Sequence, residues 1–177
     1  LLTLVLGWTQ QSVALELAAR TDALTGLPNR NAFFAAFEPV GDPVTVLYLD
    51  LDRFKPVNDR HGHAVGDEVL RVAASRIRGS LRPGDLVARI GGDEFAVRCA
   101  GGLGAAATAT LGARLVAALS EPIVLRGVPA SGVVVGVSVG VAHDPDGTRS
   151  ADELLEAADA ALYLAKAAGS GTVQVAG

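Results

Sequence analysis

The stretch Arg89-Ile90-Gly91-Gly92-Asp93-Glu94-Phe95-Ala96-Val97 decides the fold. Apolar residues flank a Gly-Gly pair on both sides, a pattern that is typical of a tight β-hairpin. Glycine permits a positive φ and lets a ligand come close to the backbone. The two carboxylates that follow, Asp93 and Glu94, suit a hard divalent cation and a ligand that carries phosphate. The stretch therefore predicts a hairpin that carries a metal and phosphate site.

Strands and helices alternate on both sides of this hairpin. The clearest strand covers 44–51, and its nearly unbroken apolar run predicts burial on both faces. Asn29 and Ser150 are expected to cap helices, and Glu153 completes a capping box with Ser150. The predicted helices are 1–20, 30–37, 65–81, 105–120 and 151–168, and the predicted β segments are 44–51, 86–100, 123–125, 133–142 and 172–175. This order predicts an α/β chain, an α+β sandwich whose mostly antiparallel central sheet is flanked by helices.

Composition restricts the classes of partner. The chain has 177 residues and a net charge of -4, without runs of Lys or Arg, so a nucleic-acid or anionic membrane surface is not expected. Cys99 is the single cysteine, which excludes an intrachain disulfide, and its apolar neighbours predict a core position. We therefore expect a cytoplasmic domain, because a reducing environment suits a single free cysteine.

The N-terminal segment, residues 1–21, is predicted to be a helix separate from the domain formed by residues 22–177. The apolar run at 1–8 is too short to span a bilayer, which requires about 20 residues. One interpretation is the cytoplasmic end of a truncated transmembrane helix, with the parent protein in the inner or plasma membrane. The other is a dimerisation helix, including a coiled coil, and both stay open.

A second acidic segment runs from Asp50 to Asp59. Asp50 ends the buried strand, and the two-residue period of a strand places Asp52 on the same face. A strand-end carboxylate opposite a hairpin with two more carboxylates could hold Mg²⁺, which takes one or two carboxylates together with phosphate oxygens. The alternative, a surface turn with solvated aspartates, is less favoured beside such a hairpin.

Several segments in order resemble the GGDEF domain, the diguanylate cyclase family, over most of residues 22–176. They are 22–30, 50–59, 62–70, 91–95, 137–142 and 158–166. The resemblance implies a palm-like nucleotidyl-cyclase fold. It also implies a reaction in which two GTP molecules form cyclic di-GMP and two pyrophosphates, with one GTP bound by each subunit of a homodimer.

The resemblance also implies roles for the acidic residues. Asp50 and Asp93 would bind Mg²⁺ or Mn²⁺ with help from the Leu51 carbonyl. Glu94 would support the metal site or deprotonate the attacking hydroxyl. Together with Gly91, Gly92 and Lys55, these carboxylates at 93 and 94 would form the catalytic group.

Substrate-binding residues follow from the same resemblance. Asn58 and Asp67 would recognise guanine, because a carboxylate accepts from its N–H donors and an amide both donates and accepts. The phosphates would be bound by Gly91, Gly92, Phe54, Lys55 and Lys166. Family members often carry an Arg where this chain has Ser170. Loss of that charge-assisted contact would weaken GTP binding about tenfold or more.

Five residues separate the segment Arg82-Pro83-Gly84-Asp85 from Gly91, the first glycine of the hairpin motif. In the family this position is an inhibitory site for cyclic di-GMP, so Arg82 and Asp85 are predicted to bind the product. The simpler interpretation is a turn between a helix and a strand, with Pro83 and Gly84 as helix breakers.

Two other functions stay open at this point. A catalytically weak or inactive domain would bind GTP or cyclic di-GMP as a regulatory module. Another palm-like nucleotidyl transferase, such as a polymerase, would share only the metal carboxylates and is disfavoured by the lack of a basic surface. A membrane anchor, a fused sensor domain and a fused phosphodiesterase domain stay open as features of the parent protein.

Overall fold

The computed structural model describes residues 19–37, 41–125 and 132–177. The elements in these ranges are α1 (Arg30–Ala35), β1 (Val44–Asp52), α2 (Phe54–His61), α3 (His63–Gly79), β2 (Leu86–Gly91), β3 (Glu94–Ala100), α4 (Ala105–Ser120), β4 (Gly136–Asp144), α5 (Ala151–Ala168) and β5 (Val173–Val175).

The strands form one sheet in the order β2-β3-β1-β4-β5. Every neighbouring pair is antiparallel except β4 and β5, which run parallel. The prediction of a mostly antiparallel sheet is therefore confirmed. β1 lies at the centre, and only one of its residues, Asp50, is not fully buried.

Helices cover both faces of the sheet, which confirms the predicted sandwich. On one face, α3 and α4 pack side chains such as Ile77 and Leu115 against Leu47 and Leu49. On the other face, α1 and α5 enclose Val46 together with other apolar residues. Alternate residues of β1 thus enter opposite cores, as the two-residue period of a strand requires.

The close packing of α5 on the sheet depends on Gly140 in β4. A Cβ at this position would lie 1.9 Å from the Ala158 carbonyl oxygen and 2.3 Å from the Leu162 nitrogen. Only a residue without a side chain lets the helix backbone come this close to the strand. This contact brings the C-terminal end of α5 to the edge of the sheet at which β1 ends.

Both predicted helix caps are confirmed. The Asn29 side chain accepts a hydrogen bond from the Ala32 amide at 3.1 Å. The Ser150 hydroxyl accepts from the Glu153 amide, and the Glu153 carboxylate accepts from the Ser150 amide in return. Both helices thus begin where the sequence predicts.

The structure corrects three predicted boundaries. α2 was not expected, and it begins directly after Arg53, whose φ of +62 turns the chain out of β1. Pro56 lies in the first turn of α2, where its missing N–H breaks no helical hydrogen bond. α3 begins and ends two residues earlier than predicted. Ile123 and Val133 form an isolated bridge instead of longer strands.

The predicted N-terminal helix lies outside the described residues, apart from Ala19 and Arg20, which are helical. No helix in the described ranges is long and apolar enough to cross a membrane.

Candidate functional site

The C-terminal end of β1 and the β2–β3 hairpin turn meet at one edge of the sheet. The Leu51 amide donates a hydrogen bond to the Asp93 carbonyl at 3.2 Å. Asp50 pairs directly with Glu94 across the two strands. The structure thus places residues 50, 93 and 94 next to one another along the backbone of β1 and the hairpin.

The glycine pair differs from the expectation in one respect. The turn consists of Gly92 and Asp93, and neither Gly91 nor Gly92 has a positive φ, so the predicted use of that conformation is wrong. A Cβ on Gly92 would meet no atom within 4 Å. Neither a positive φ nor crowding therefore requires glycine at position 92. A side chain at this position would instead occupy open space at the hairpin turn.

Asp50 lies at the centre of the acidic group and forms an ion pair with Lys166. The distance from Lys166 Nζ to Asp50 Oδ2 is 2.8 Å. Burial raises the pKa of the Asp50 carboxyl above its ordinary value, and the charges of Asp93 and Asp52 raise it further, whereas Lys166 opposes this rise. A cation next to Asp50 therefore favours the ionised form of its carboxyl.

Asp52 has a different role from that of Asp50. It is only 7 % exposed. Its Oδ1 accepts from the Ser138 hydroxyl and its Oδ2 accepts from the Gly171 amide, both at 2.9 Å. Asp52 therefore anchors the loop after α5 and does not join the other carboxylates at the open edge of the site.

Glu94 contacts the phenol of Tyr48, which projects from β1. Burial raises the pKa of the Tyr48 hydroxyl, and the charge of Glu94 and a hydrogen bond to Glu94 raise it further. The Tyr48 phenol and the Glu94 carboxylate therefore lie close to each other on the same face of the sheet.

Arg89 ties the hairpin turn to the segment that leads into the domain. Its guanidinium donates to the Gly92 carbonyl at 3.0 and 2.8 Å and to the Asp22 carboxylate at 3.1 and 3.2 Å. Asp22 also accepts from the amide and the hydroxyl of Thr25. The turn that carries Asp93 is thus fixed from two directions, by β1 and by Arg89.

The predicted phosphate-binding residues lie at the start of α2. No side chain caps this helix, because Arg53 makes no capping hydrogen bond. The amides of Phe54 and Lys55 therefore have no partner within the helix. Such a helix N-terminus, with its partial positive charge, binds phosphate oxygens. Phe54 is buried, whereas the Lys55 side chain is exposed.

The predicted guanine-binding residues lie on α2 and α3. Gly66 makes room for the Asn58 side chain, because a Cβ there would lie 1.9 Å from Asn58 Oδ1. Asp67 follows Gly66 directly, so the Asn58 amide reaches the same turn of α3. Both side chains are partly exposed, which leaves them accessible to a ligand.

The predicted inhibitory residues lie in the turn that precedes β2. The Arg82 Nε atom donates to Asp85 Oδ1 at 3.2 Å, and an Arg82 terminal nitrogen donates to the Ala100 carbonyl at 2.7 Å. The Arg82 side chain is 53 % exposed, whereas that of Asp85 is 4 % exposed. The arginine is therefore free to exchange partners, while Asp85 is held in place.

The donor set fits a metal that is shared with a nucleotide. The described residues contain no group of three or more His, Cys, Asp or Glu side chains that could hold a metal alone. Asp50, Asp93 and the Leu51 carbonyl instead provide a partial set of hard oxygen donors. Mg²⁺ takes one or two carboxylates and completes its octahedron with phosphate oxygens and water.

A family model described as "Diguanylate cyclase, GGDEF domain" matches residues 19–172. The chain belongs to the GGDEF family. The resemblance seen in the sequence is therefore confirmed over nearly the whole described chain. The fold matches solved GGDEF structures as well, which confirms the palm-like architecture.

Two relatives illustrate this GGDEF domain's similarity to known proteins. It is 40 % identical over 174 residues to the diguanylate cyclase TpbB of Pseudomonas aeruginosa. This match covers 94 % of this chain and 39 % of TpbB. It is 37 % identical over 162 residues to the cyclic di-GMP phosphodiesterase PdeR of Escherichia coli, covering 89 % of this chain and 24 % of PdeR. The chain thus spans well under half the length of these relatives.

Among solved structures, the coiled coil and GGDEF domain of DgcB from Caulobacter crescentus, in complex with c-di-GMP, is similar to this chain. The TM-score is 0.88 with 30 % identity, over 98 % of this chain and 94 % of that chain. A truncated TpbB that comprises only the GGDEF domain has a TM-score of 0.80 and 40 % identity, over 89 % and 94 % of the two chains.

The structure of this GGDEF domain adds three residues that the sequence analysis did not assign to the site. They are Tyr48, Asp52 and Arg89. Tyr48 lies two residues before Asp50 in β1, so strand alternation could have placed it on the Asp50 face. Arg89 stands within the stretch that decided the fold, but its link to residue 22 required the tertiary structure.

Proposed function

We propose that this domain is a diguanylate cyclase, which condenses two GTP molecules into cyclic di-GMP and two pyrophosphates. The observation that carries the proposal is the convergence of Asp50, Asp93 and Glu94 at the end of β1, beside the open space over Gly92. Membership of the GGDEF family gives independent support.

In this mechanism, Asp50, Asp93 and the Leu51 carbonyl would hold Mg²⁺ or Mn²⁺ against the nucleotide. When bound, a divalent cation lowers the pKa of the attacking 3′-hydroxyl and stabilises charge on the α-phosphate and the leaving pyrophosphate. Glu94 is placed to support this site or to accept the hydroxyl proton. Tyr48 would hold Glu94 in position through its hydrogen bond.

The remaining groups would bind and orient GTP. The uncapped amides of Phe54 and Lys55 would bind terminal phosphate oxygens, and the ammonium groups of Lys55 and Lys166 would add positive charge. Asn58 and Asp67 would hydrogen bond with guanine. Catalysis would then depend mainly on positioning and on preorganised charge.

The reaction requires two copies of the domain, because each has one set of guanine-binding residues. The 3′-hydroxyl of one GTP would attack the α-phosphate of the other across the two-fold axis of a homodimer. Residues 1–21 would set the approach of the half-sites by pairing with the same segment of a second chain. A specific activity that does not change with protein concentration down to nanomolar levels would contradict this role.

We further propose that cyclic di-GMP inhibits the enzyme at Arg82 and Asp85. The exposed Arg82 guanidinium would leave Asp85 for a phosphate or a guanine face of the product. Arg82→Ala should therefore abolish inhibition by added cyclic di-GMP while the initial rate stays close to that of the unmutated protein. Unchanged inhibition in this variant would exclude this site.

A second candidate function is a regulatory module that binds GTP or cyclic di-GMP without turnover. Ser170 favours it, because this exposed position carries no charge for the triphosphate. The similarity to phosphodiesterases such as PdeR is compatible with such a role inside a larger parent protein. In either case we propose a cytoplasmic domain of a parent that includes a sensor or phosphodiesterase domain or a membrane anchor.

The decisive experiment is chromatography of products after incubation of the protein with GTP and Mg²⁺. Asp93→Ala should abolish product, whereas Asp146→Ala, which removes an exposed carboxylate in the turn after β4, should not. Cyclic di-GMP from the unmutated chain and from Asp146→Ala alone would support the cyclase. No product from a dimer forced by a fused coiled coil, together with retained GTP binding, would support the regulatory module.

A further inference from the structure

Lys166 pairs with Asp50, the carboxylate that would also bind the metal. It lies in the last turn of α5, and its Nζ atom is 2.8 Å from Asp50 Oδ2. The Lys166 side chain is 44 % exposed and that of Asp50 is 16 % exposed. The lysine is thus free to move into solvent, while the carboxylate stays fixed at the end of β1.

The negatively charged surroundings of Asp50 favour a cation next to its carboxylate. Asp93 adds negative charge from the hairpin turn, and Asp52 adds more from β1. Asp52 is already paired with a hydroxyl and an amide. Within the described ranges, Lys166 is the only ion-pair partner recorded for Asp50.

We propose that Lys166 is an exchangeable counterion, which neutralises Asp50 in the nucleotide-free protein and leaves it for a phosphate when the metal–nucleotide complex binds. This inference rests on the proposed function, because it assigns the metal to Asp50. The inference describes the nucleotide-free protein, in which the Lys166 ammonium is the cation paired with Asp50.

The chemistry of the two partners supports the exchange. Lysine is a compact charge on a flexible four-carbon stem, so it can change partners without movement of the backbone. Lys166 engages the Oδ2 atom of Asp50, so a metal that uses this oxygen must displace the ammonium. Because Ser170 offers no charge, Lys166 is the cation that the end of α5 can provide to a phosphate.

The exchange makes metal and nucleotide binding cooperative. Metal alone must displace the ammonium from Asp50, whereas metal with nucleotide also provides a phosphate for it. By linkage, GTP should raise the affinity for the metal, and the metal should raise the affinity for GTP by the same factor. Removing the Lys166 charge should reduce this factor.

The first test measures Mn²⁺ affinity by water proton relaxation enhancement without nucleotide. Lys166→Met should bind Mn²⁺ about twofold to fivefold more tightly than the unmutated protein, as expected for loss of a partly exposed ion pair worth up to about 1 kcal/mol. Arg114→Met, which removes an exposed cation on α4, is the matched control and should change little. With a non-hydrolysable GTP analogue, Lys166→Met should bind the nucleotide more weakly.

The second test observes Lys166 directly in the unmutated chain. The sequence contains only two lysines, Lys55 and Lys166, so protein labelled with ¹³C-lysine gives two sets of Hε/Cε signals, which Lys55→Arg assigns. Asp50→Asn should shift the Lys166 signal in the nucleotide-free state. Mg²⁺ with the GTP analogue should shift it to a different, phosphate-bound position.

The outcomes separate this proposal from the proposed function. A Lys166→Met protein with unchanged or weaker Mn²⁺ binding would overturn the exchange, as would a Lys166 signal that ignores Asp50→Asn. Cyclic di-GMP synthesis would still stand in both cases. Mn²⁺ binding that survives both Asp50→Asn and Asp93→Asn would instead remove the metal site on which the proposed function depends.

Discussion

Replacement of Arg89 by lysine should loosen the hairpin turn and slow the reaction, although the charge is kept. The Arg89 guanidinium bridges the Gly92 carbonyl and the Asp22 carboxylate with four hydrogen bonds between 2.8 and 3.2 Å. A lysine ammonium is a single point charge and lacks the planar fork that reaches both partners together. One of the two links is therefore lost.

The size of the effect follows from burial. The side chains of Arg89 and Asp22 are 15 % and 22 % exposed, which places this pair between an exposed and a buried ion pair. Exposed pairs contribute about 0.2–1 kcal/mol, and breaking a buried pair costs about 3–5 kcal/mol. We expect Arg89→Lys to lower the free energy of unfolding by about 1–3 kcal/mol.

The effect on turnover should be larger than this loss of stability suggests. Asp93 lies in the turn that Arg89 fixes, and misplacement of a catalytic group by about 1 Å can cost about a hundredfold in rate. We therefore expect kcat to fall by about tenfold to a hundredfold, with a smaller change in KM, because the groups on α2 and α3 stay in place.

Urea unfolding and initial rates of cyclic di-GMP synthesis measure the two effects. Arg71→Lys is the matched control, because Arg71 pairs with Glu68 on the exposed face of α3, with side chains 46 % and 52 % exposed. A double-mutant cycle with Asp22→Asn gives the coupling between the two partners. If Arg89→Lys matches Arg71→Lys in stability and in kcat, the turn does not depend on this link.

Three further predictions concern binding, packing and pH. Ser170→Arg should lower the Kd for GTP about tenfold by adding a charge-assisted contact to phosphate, measured with a fluorescent GTP analogue. Gly140→Ala should destabilise the fold by at least about 1–3 kcal/mol in urea, because the new methyl group would overlap the α5 backbone, whereas Gly79→Ala has open space and should be neutral or stabilising. Burial alone would raise the pKa of Asp22, but hydrogen bonds from Thr25 outweigh it and lower the pKa. Its contribution to stability is therefore present above an unfolded pKa of about 3.9 and is lost as pH falls below it, so Asp22→Asn should flatten the acid limb of a stability–pH curve.

The sequence was sufficient for those parts of the fold that depend on local pattern. The hairpin, the buried strand and the caps at Asn29 and Ser150 each follow from period, turn chemistry or hydrogen-bonding groups within a few residues. α2 was not found, because Pro56 and the polar run around it resemble a loop. Its start is set by the left-handed backbone of Arg53. This conformation is uncommon for residues other than glycine, so the sequence does not predict it.

The sequence pattern could not distinguish the roles of the two aspartates of β1, Asp50 and Asp52. Strand alternation placed Asp50 and Asp52 on one face and could not distinguish them. The difference comes from residues distant in sequence, since Ser138 and Gly171 donate hydrogen bonds to Asp52, whereas Asp50 forms an ion pair with Lys166. A carboxylate satisfied by neutral donors stays structural, but one held by a mobile cation can exchange that cation for a metal. Asp52→Asn should therefore preserve the fold and metal binding, because the amide oxygen can accept from Gly171 as the carboxylate does, and the amide N–H can donate to the Ser138 hydroxyl in place of the bond that Ser138 now donates, while Asp50→Asn should abolish metal binding. Comparable Mn²⁺ affinities for the two variants would refute this division of roles.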